Sequence, residues 1–168
     1  QTFPTSERVE VPPDPAPPPP PAAGTRRRAV RVQTPQDVPQ AAAQVAEPTE
    51  AQKAAGNYQH GHVTVGGLAI AIETPAGATR SGTAPDGTRW TSTMGADYGR
   101  IKRTTGADGD QVDVFLGPQA HEATKLPVFV IDQLTTGDTV KFDEHKAMVG
   151  FPTKEAAEFA YLASFSDA

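Results

Sequence analysis

Cysteine is absent from the 168-residue chain, which excludes a disulfide framework, a thiolate nucleophile and a cysteine-ligated zinc site, and leaves the redox compartment open. No apolar run approaches the roughly 18 residues that a membrane-spanning helix needs, so no membrane partner is expected. The first residues, Gln1 to Glu10, also lack the charged start and apolar body of a signal peptide. Positive charge is not in excess either. The formal net charge is −5, which argues against a general nucleic-acid or membrane binder, because both depend on a basic field; a local basic pocket is still compatible with it. Absent too are a nucleophile elbow, a Ser-His-Asp order and a glycine-rich phosphate loop. The chain opens on Gln1 rather than Met, and is expected to be a processed product or an excised part of a longer protein.

What the sequence has in plenty is proline, placed unevenly. Twelve of its 17 prolines fall in the first fifty residues, including the run Pro17 to Pro21. Such a stretch cannot bury enough apolar surface to offset the entropy of ordering. Residues 1–48 therefore read as a disordered Pro-rich linker, stiffened to polyproline II where prolines are contiguous, with a PxxP ligand as the lesser alternative. The cluster Arg26, Arg27, Arg28 and Arg31 reads as solvated linker. Residues 49–168 remain for one domain, enough to bury a workable core.

Within that domain the pattern is mainly β. Thr49 is placed to cap a short helix through Ala54 that Gly56-Asn57 stops. His62 to Val65 alternates, Gly66-Gly67 turns, and Leu68 to Glu73 returns, which predicts a hairpin. Pro75-Ala76-Gly77, Pro85-Asp86-Gly87 and Thr136-Gly137-Asp138 are turn signals around strands at Trp90–Met94, Asp113–Leu116, Val128–Leu134 and Lys146–Val149. Short strands at this spacing point to a small barrel or sandwich. The one strong helix is terminal: Thr153 caps it, and Phe159, Leu162 and Phe165 fall at helical spacing with Ala156 and Ala163, a stripe expected to be core.

The densest chemistry lies between Tyr98 and Pro118. Asp108, Asp110 and Asp113 place three carboxylates within six residues, and like charges that close repel unless a cation neutralises them. The spacing is not that of an EF-hand: the glycine stands second and the twelfth-position glutamate is missing. Hard oxygen ligands on a loop entering a strand suit Mg2+ or Mn2+. Aspartates in turns also bond their own backbone, and on the triad alone that reading weighs equally. The surroundings tip the balance. Acids at strand ends (Glu73, Asp132, Asp143, Glu144) stand near cations (Arg80, Arg89, Lys102, Arg103, Lys141, Lys146), and carboxylates beside cations are what phosphoryl transfer to water requires. His60-Gly61-His62 reads as surface polar residues rather than a metal site. His145 either tunes the site or caps its hairpin. Trp90 reads as core rather than a stacking platform.

Tyr98-Gly99-x-Ile101 followed by Asp108-Gly109-Asp110-x-Val112-Asp113-Val114 resembles the signature of the soluble family I inorganic pyrophosphatases, over about 20 residues and more loosely over 62–151. Ile72-Glu73-x-Pro75-Ala76 resembles that family's strand-end glutamate. The whole of Pro48 to Asp167, with its AGNY, IETPAG, RSG, DGDxVDVFLGP and FDEHK segments, is similar to the pyrophosphatase-like domain of phage and mobile-element polyvalent proteins. The resemblance implies a small five-stranded OB-like Greek-key barrel with a packed C-terminal helix, Mg2+ as cofactor and pyrophosphate as substrate. It implies that Asp113 bridges two metal ions, Asp108 binds one and Asp110 is the base. Glu73 would sit at the metal edge, Tyr98 would hydrogen-bond a phosphate or hydroxide oxygen, and Lys146 would contact phosphate. Asp132 with Asp143 or Glu144 would complete the metal ligands, and Arg80 and Arg89 would stand in for the family's first lysine and its arginine. The sequence departs from the family at Arg100, where a second tyrosine is usual, at Gly82, where an acid is usual, and at Leu162, where a lysine follows the terminal tyrosine. Two functions follow as expectations: Mg2+-dependent pyrophosphate hydrolysis within a longer phage or mobile-element protein, or a weak or inactive module that binds a phosphorylated ligand or builds a virion. The setting implied is a phage particle or the host cytoplasm after entry.

Overall fold

A strand and a helix lie inside the stretch that its proline content assigns to a linker. In the computed structural model, which describes residues 29–44, 49, 51–52, 60–83, 87–135 and 139–165, Val30–Arg31 (β1) lies parallel to Gly61–Val65 (β2). Asp37–Ala43 (α1) follows. The Asp37 carboxylate accepts from the backbone N–H groups of Gln33 and Thr34 at 2.7 and 2.8 Å, and these donors hold its pKa below the ordinary aspartate value. Val32, Val38 and Ala41 are buried. The linker reading is therefore corrected for residues 30–44. Pro39 does not prevent the helix because it stands in the first turn, where no intrahelical partner awaits its N–H. Residues 1–28 and 45–48 lie outside the described residues. Thr49 and Gln52 exchange bonds as a helix start should, Gln52 N–H to Thr49 Oγ1 at 3.3 Å and Thr49 N–H to Gln52 Oε1 at 2.9 Å. The Gly56-Asn57 stop is outside the described residues.

The first hairpin is as the two glycines predict. Leu68–Thr74 (β3) pairs with β2, Val65 facing Leu68, and Gly66 and Gly67 have φ of 55° and 89°, the left-handed backbone a two-residue hairpin demands. Thr79–Thr83 (β4) and Arg89–Thr93 (β5) form a separate two-stranded ribbon; its Pro85-Asp86 turn lies outside the described residues, as does Thr136-Gly137-Asp138. Asp97–Ile101 (β6), Asp113–Leu116 (β7), Phe129–Leu134 (β8) and Phe142–Val149 (β9) complete the main sheet, in the order β1-β2-β3-β6-β7-β9-β8. A mainly β fold with a packed C-terminal helix is as expected. The five-stranded OB-like Greek-key barrel is not: among the described residues the sheet has seven strands, and its outermost strands, β1 and β8, do not pair. Closure depends on the tilt and stagger of all strands together, which no single strand's pattern carries.

Each face of the sheet has its own core. One face packs Val63, Val65, Ile70, Ile72, Val114, Leu116 and Val149 beneath α1 and the 3-10 helix Ala120–Lys125. The other packs Tyr98, Phe115, Met148 and Phe151 beneath Lys154–Ala163 (α2). Thr153 Oγ1 accepts from the Ala156 N–H at 3.2 Å, the expected cap. The buried face of α2 is not the expected one. Ala157 and Ala160 are buried, while Phe159 is 75% and Leu162 64% exposed and Phe165 is exposed as well. The helix comes so near the sheet that a Cβ on Gly95 would stand 2.6 Å from the Ala160 carbonyl oxygen, a gap that admits alanine and not phenylalanine. Among the described residues no helix is long and apolar enough to cross a membrane.

Candidate active site

Strand register builds the polar cluster. Arg100 faces Asp113 across β6 and β7, and Asp113 faces Lys146 across β7 and the parallel strand β9. Tyr98 and Phe115 pair two residues away, so by the two-residue period of a strand all of these side chains stand on the α2 face. The aromatic core thus ends in a row of charged groups. Gln133, opposite Glu144 in the β8–β9 hairpin, lies one step further along that face.

Lys146 is 4% exposed, and its ammonium lies 2.5 Å from Asp113 Oδ2 and 2.7 Å from Glu144 Oε1. Burying an ammonium costs hydration that only close carboxylates can offset, and two lie within ion-pair distance here. Tyr98 donates its hydroxyl to the same Asp113 oxygen; burial pushes its pKa well up, so it remains a donor. The Arg80 guanidinium lies 4.3 Å from the centre of the Tyr98 ring, a cation–π contact. Burial raises the Glu144 pKa, against the lowering effect of Lys146. Behind these groups, Gln133 Nε2 donates to Asp143 Oδ2 at 3.0 Å and to Glu144 Oε1 at 3.2 Å, while its Oε1 accepts from the Tyr161 hydroxyl at 3.1 Å.

The loop before β7 is held by its own bonds. Thr104 Oγ1 donates to the Ile101 carbonyl at 2.5 Å and accepts from the Val112 N–H at 3.0 Å. The Gly106 N–H donates to the Asp110 carbonyl at 2.6 Å. Asp108 Oδ1 accepts from the Asp110 N–H at 3.0 Å, the backbone bond typical of an aspartate in a turn. Asp108 and Asp110 are both exposed.

The residues singled out in the sequence therefore divide. Tyr98, Asp113, Glu144, Lys146 and Arg80 converge; Asp143 joins them through Gln133. Asp108 and Asp110 stand on the loop that leads to Asp113. Glu73, at a bulge in β3, pairs with Arg100, a bulge being a common way to re-aim one side chain. Asp132 pairs with His145 at 2.8 Å on exposed positions of β8 and β9, so His145 braces the hairpin there. Arg89 is an odd step from Trp90 and falls on the opposite face of its ribbon from Arg80. His60 and His62 stand at the start of β2, and burial lowers both pKa values. Among the described residues no three histidine, aspartate or glutamate side chains are grouped to hold a metal. Two residues of the cluster escaped the sequence reading: Gln133, whose part depends on its cross-strand partner, and Tyr161, noted only as half of a terminal pair.

A family model for inorganic pyrophosphatase matches residues 50–168. The chain belongs to the inorganic pyrophosphatase family. No curated protein and no solved structure matches it. The family match covers the whole of the charged cluster, while β1 and α1 precede it. As donors for the divalent cation that the resemblance to pyrophosphatases implies, Asp108, Asp113 and Glu144 fit in kind: all are hard carboxylate oxygens, and Asp113 and Glu144 already share one cation, the Lys146 ammonium.

Proposed function

We propose that the chain hydrolyses the phosphoanhydride bond of pyrophosphate with Mg2+, or Mn2+ in its place. The observation that carries this is Lys146 held between Asp113 and Glu144 beside the Tyr98 hydroxyl. Cations and carboxylates meet there at one point on the edge of an apolar core. Arg80, which has no ion-pair partner among the described residues, and Lys146 bind phosphate oxygens; Tyr98, kept protonated by burial, donates to one of them. Asp110, exposed on its loop, takes the proton from the attacking water. A divalent cation held by Asp108, Asp113 and Glu144 would supply Lewis acidity, drawing protons from water near neutral pH and offsetting phosphate charge. Phosphate release from pyrophosphate with Mg2+ or Mn2+ is the test. No release at protein concentrations where ordinary pyrophosphatases saturate would sink the proposal. Asp110→Asn should lower turnover by about 10²-fold or more, the scale of a lost general base, with an unchanged melting temperature.

A second reading rests on the same contacts. Asp113 and Glu144 already contact the Lys146 ammonium, and Glu73 pairs with Arg100, which favours a module that binds a phosphorylated ligand without turnover. Calorimetry separates the two, since a binder retains its ligand unconsumed. On the sequence resemblance, we place the domain within a longer phage or mobile-element protein, in the particle or the host cytoplasm; its absence from the mass spectrum of purified particles would remove the first location.

A further inference from the structure

We infer that the substrate carries an aromatic base and that Trp90 is its stacking platform, so that the site takes nucleoside di- or triphosphates; the inference rests on the phosphoanhydride reading above. Trp90, expected in the core, is 37% exposed. Its position on the ribbon is informative. Arg80 pairs with Ser92 and Gly82 with Trp90 across β4 and β5, so these four residues share one face. That face is turned toward the body of the protein: Ser92 is buried and its hydroxyl donates to the Ser164 carbonyl, while Arg80 lies over Tyr98. Trp90 is thus on the site side of the ribbon, one step nearer its tip than Arg80.

Arg80 is the common neighbour of two rings, 4.3 Å from the centre of Tyr98 and 6.0 Å from that of Trp90. With no carboxylate partner among the described residues, its charge is open to a phosphate. Gly82 leaves the indole its room. The ring lies directly over this glycine, where a Cβ would stand 2.4 Å from Trp90 Cζ2, so any other residue there would push the ring away. A nucleotide has the matching layout, phosphates at one end and a flat base at the other. Pyrophosphate would leave the indole unused. The bond chemistry is that of the proposed reaction. The water oxygen adds to phosphorus, the bridging P–O bond breaks, the departing phosphate keeps the bridging oxygen, and the water proton passes to Asp110.

Trp90 is the one tryptophan of the chain, which makes its emission a direct readout. The full chain, with Mg2+, is titrated with ATP, GTP and inorganic tripolyphosphate, following tryptophan fluorescence and heat. Both nucleotides are expected to quench the emission and to bind about ten-fold more tightly than tripolyphosphate, the scale of one base–aromatic stack. Trp90→Leu should bring nucleotide affinity down to that of tripolyphosphate, and Trp90→Phe should keep part of the preference. Equal affinities in the unaltered chain, binding of none of the three probes, or a preference that survives Trp90→Leu would overturn the inference. So would loss of tripolyphosphate binding in both variants, which would show that the indole only supports the ribbon. Phosphoanhydride hydrolysis by the unaltered chain, of pyrophosphate and of the two nucleotides, is read separately. If it is absent while the nucleotide preference stands, the reaction is wrong and the platform right; if it is present without the preference, the reverse holds.

Discussion

Replacing Lys146 by methionine would leave Asp113 and Glu144 without the ammonium now 2.5 and 2.7 Å from them. Breaking a buried pair from one side costs about 3–5 kcal/mol, and the lower end is expected here because both carboxylates keep some contact with water. Urea unfolding at neutral pH should show the loss, and acidification should return part of it. The sign follows from proton binding: acids that repel each other in the folded chain have raised pKa values, the native state then holds more protons than the unfolded one, and stability falls as pH rises. Glu144 already behaves in that sense in the unaltered chain, since burial holds its pKa above the ordinary 4.5. Gln133→Leu would remove a donor to that carboxylate and raise it further. The acid limb of the pH–activity profile, and of Mn2+ binding measured by calorimetry, should move to higher pH; an unmoved limb would show that Gln133 does not act through Glu144. Tyr98, Asp113 and Lys146 were legible because each stands in a local motif. Gln133 was not, because an amide acquires its role from the residue opposite, and the pairing of Gln133 with Glu144 is set by the fold of the hairpin.

The terminal helix shows the same limit for an element. Its existence and its cap at Thr153 could be read from the chain, and Thr153→Ala should cost about 1 kcal/mol. Its buried face could not. Phenylalanines and a leucine make the more apolar stripe, yet the near approach of Gly95 to Ala160 leaves room only for the alanine side. Leu162→Lys is accordingly expected to change stability by no more than about 0.5 kcal/mol. Ala160→Leu should cost about 1–3 kcal/mol through overpacking. Thermal or urea melts of the pair would check both, and a large loss from Leu162→Lys would show that the exposed stripe is covered by something in solution.

For the molecule as a whole, a mainly β fold followed from the alternation of short strands, whereas an open seven-stranded sheet did not, because β1 comes from a stretch that composition alone marks as unstructured. Val32 and Val38 are each buried, and full burial of a valine contributes about 1.5–3 kcal/mol. A chain beginning at Thr49 should therefore be less stable than one beginning at Ala29 by about 3–6 kcal/mol, as measured by urea unfolding. The family match starts at residue 50, after that strand and helix, and a fragment cut to its limits would lay bare the long side of β2. Its N–H and C=O groups would be a template for any passing strand, so the fragment is expected to associate with itself, eluting from gel filtration at sizes that grow with its concentration. In the longer chain β1 acts as a stopper: two residues, already in place, that deny neighbouring molecules a seam to grow along.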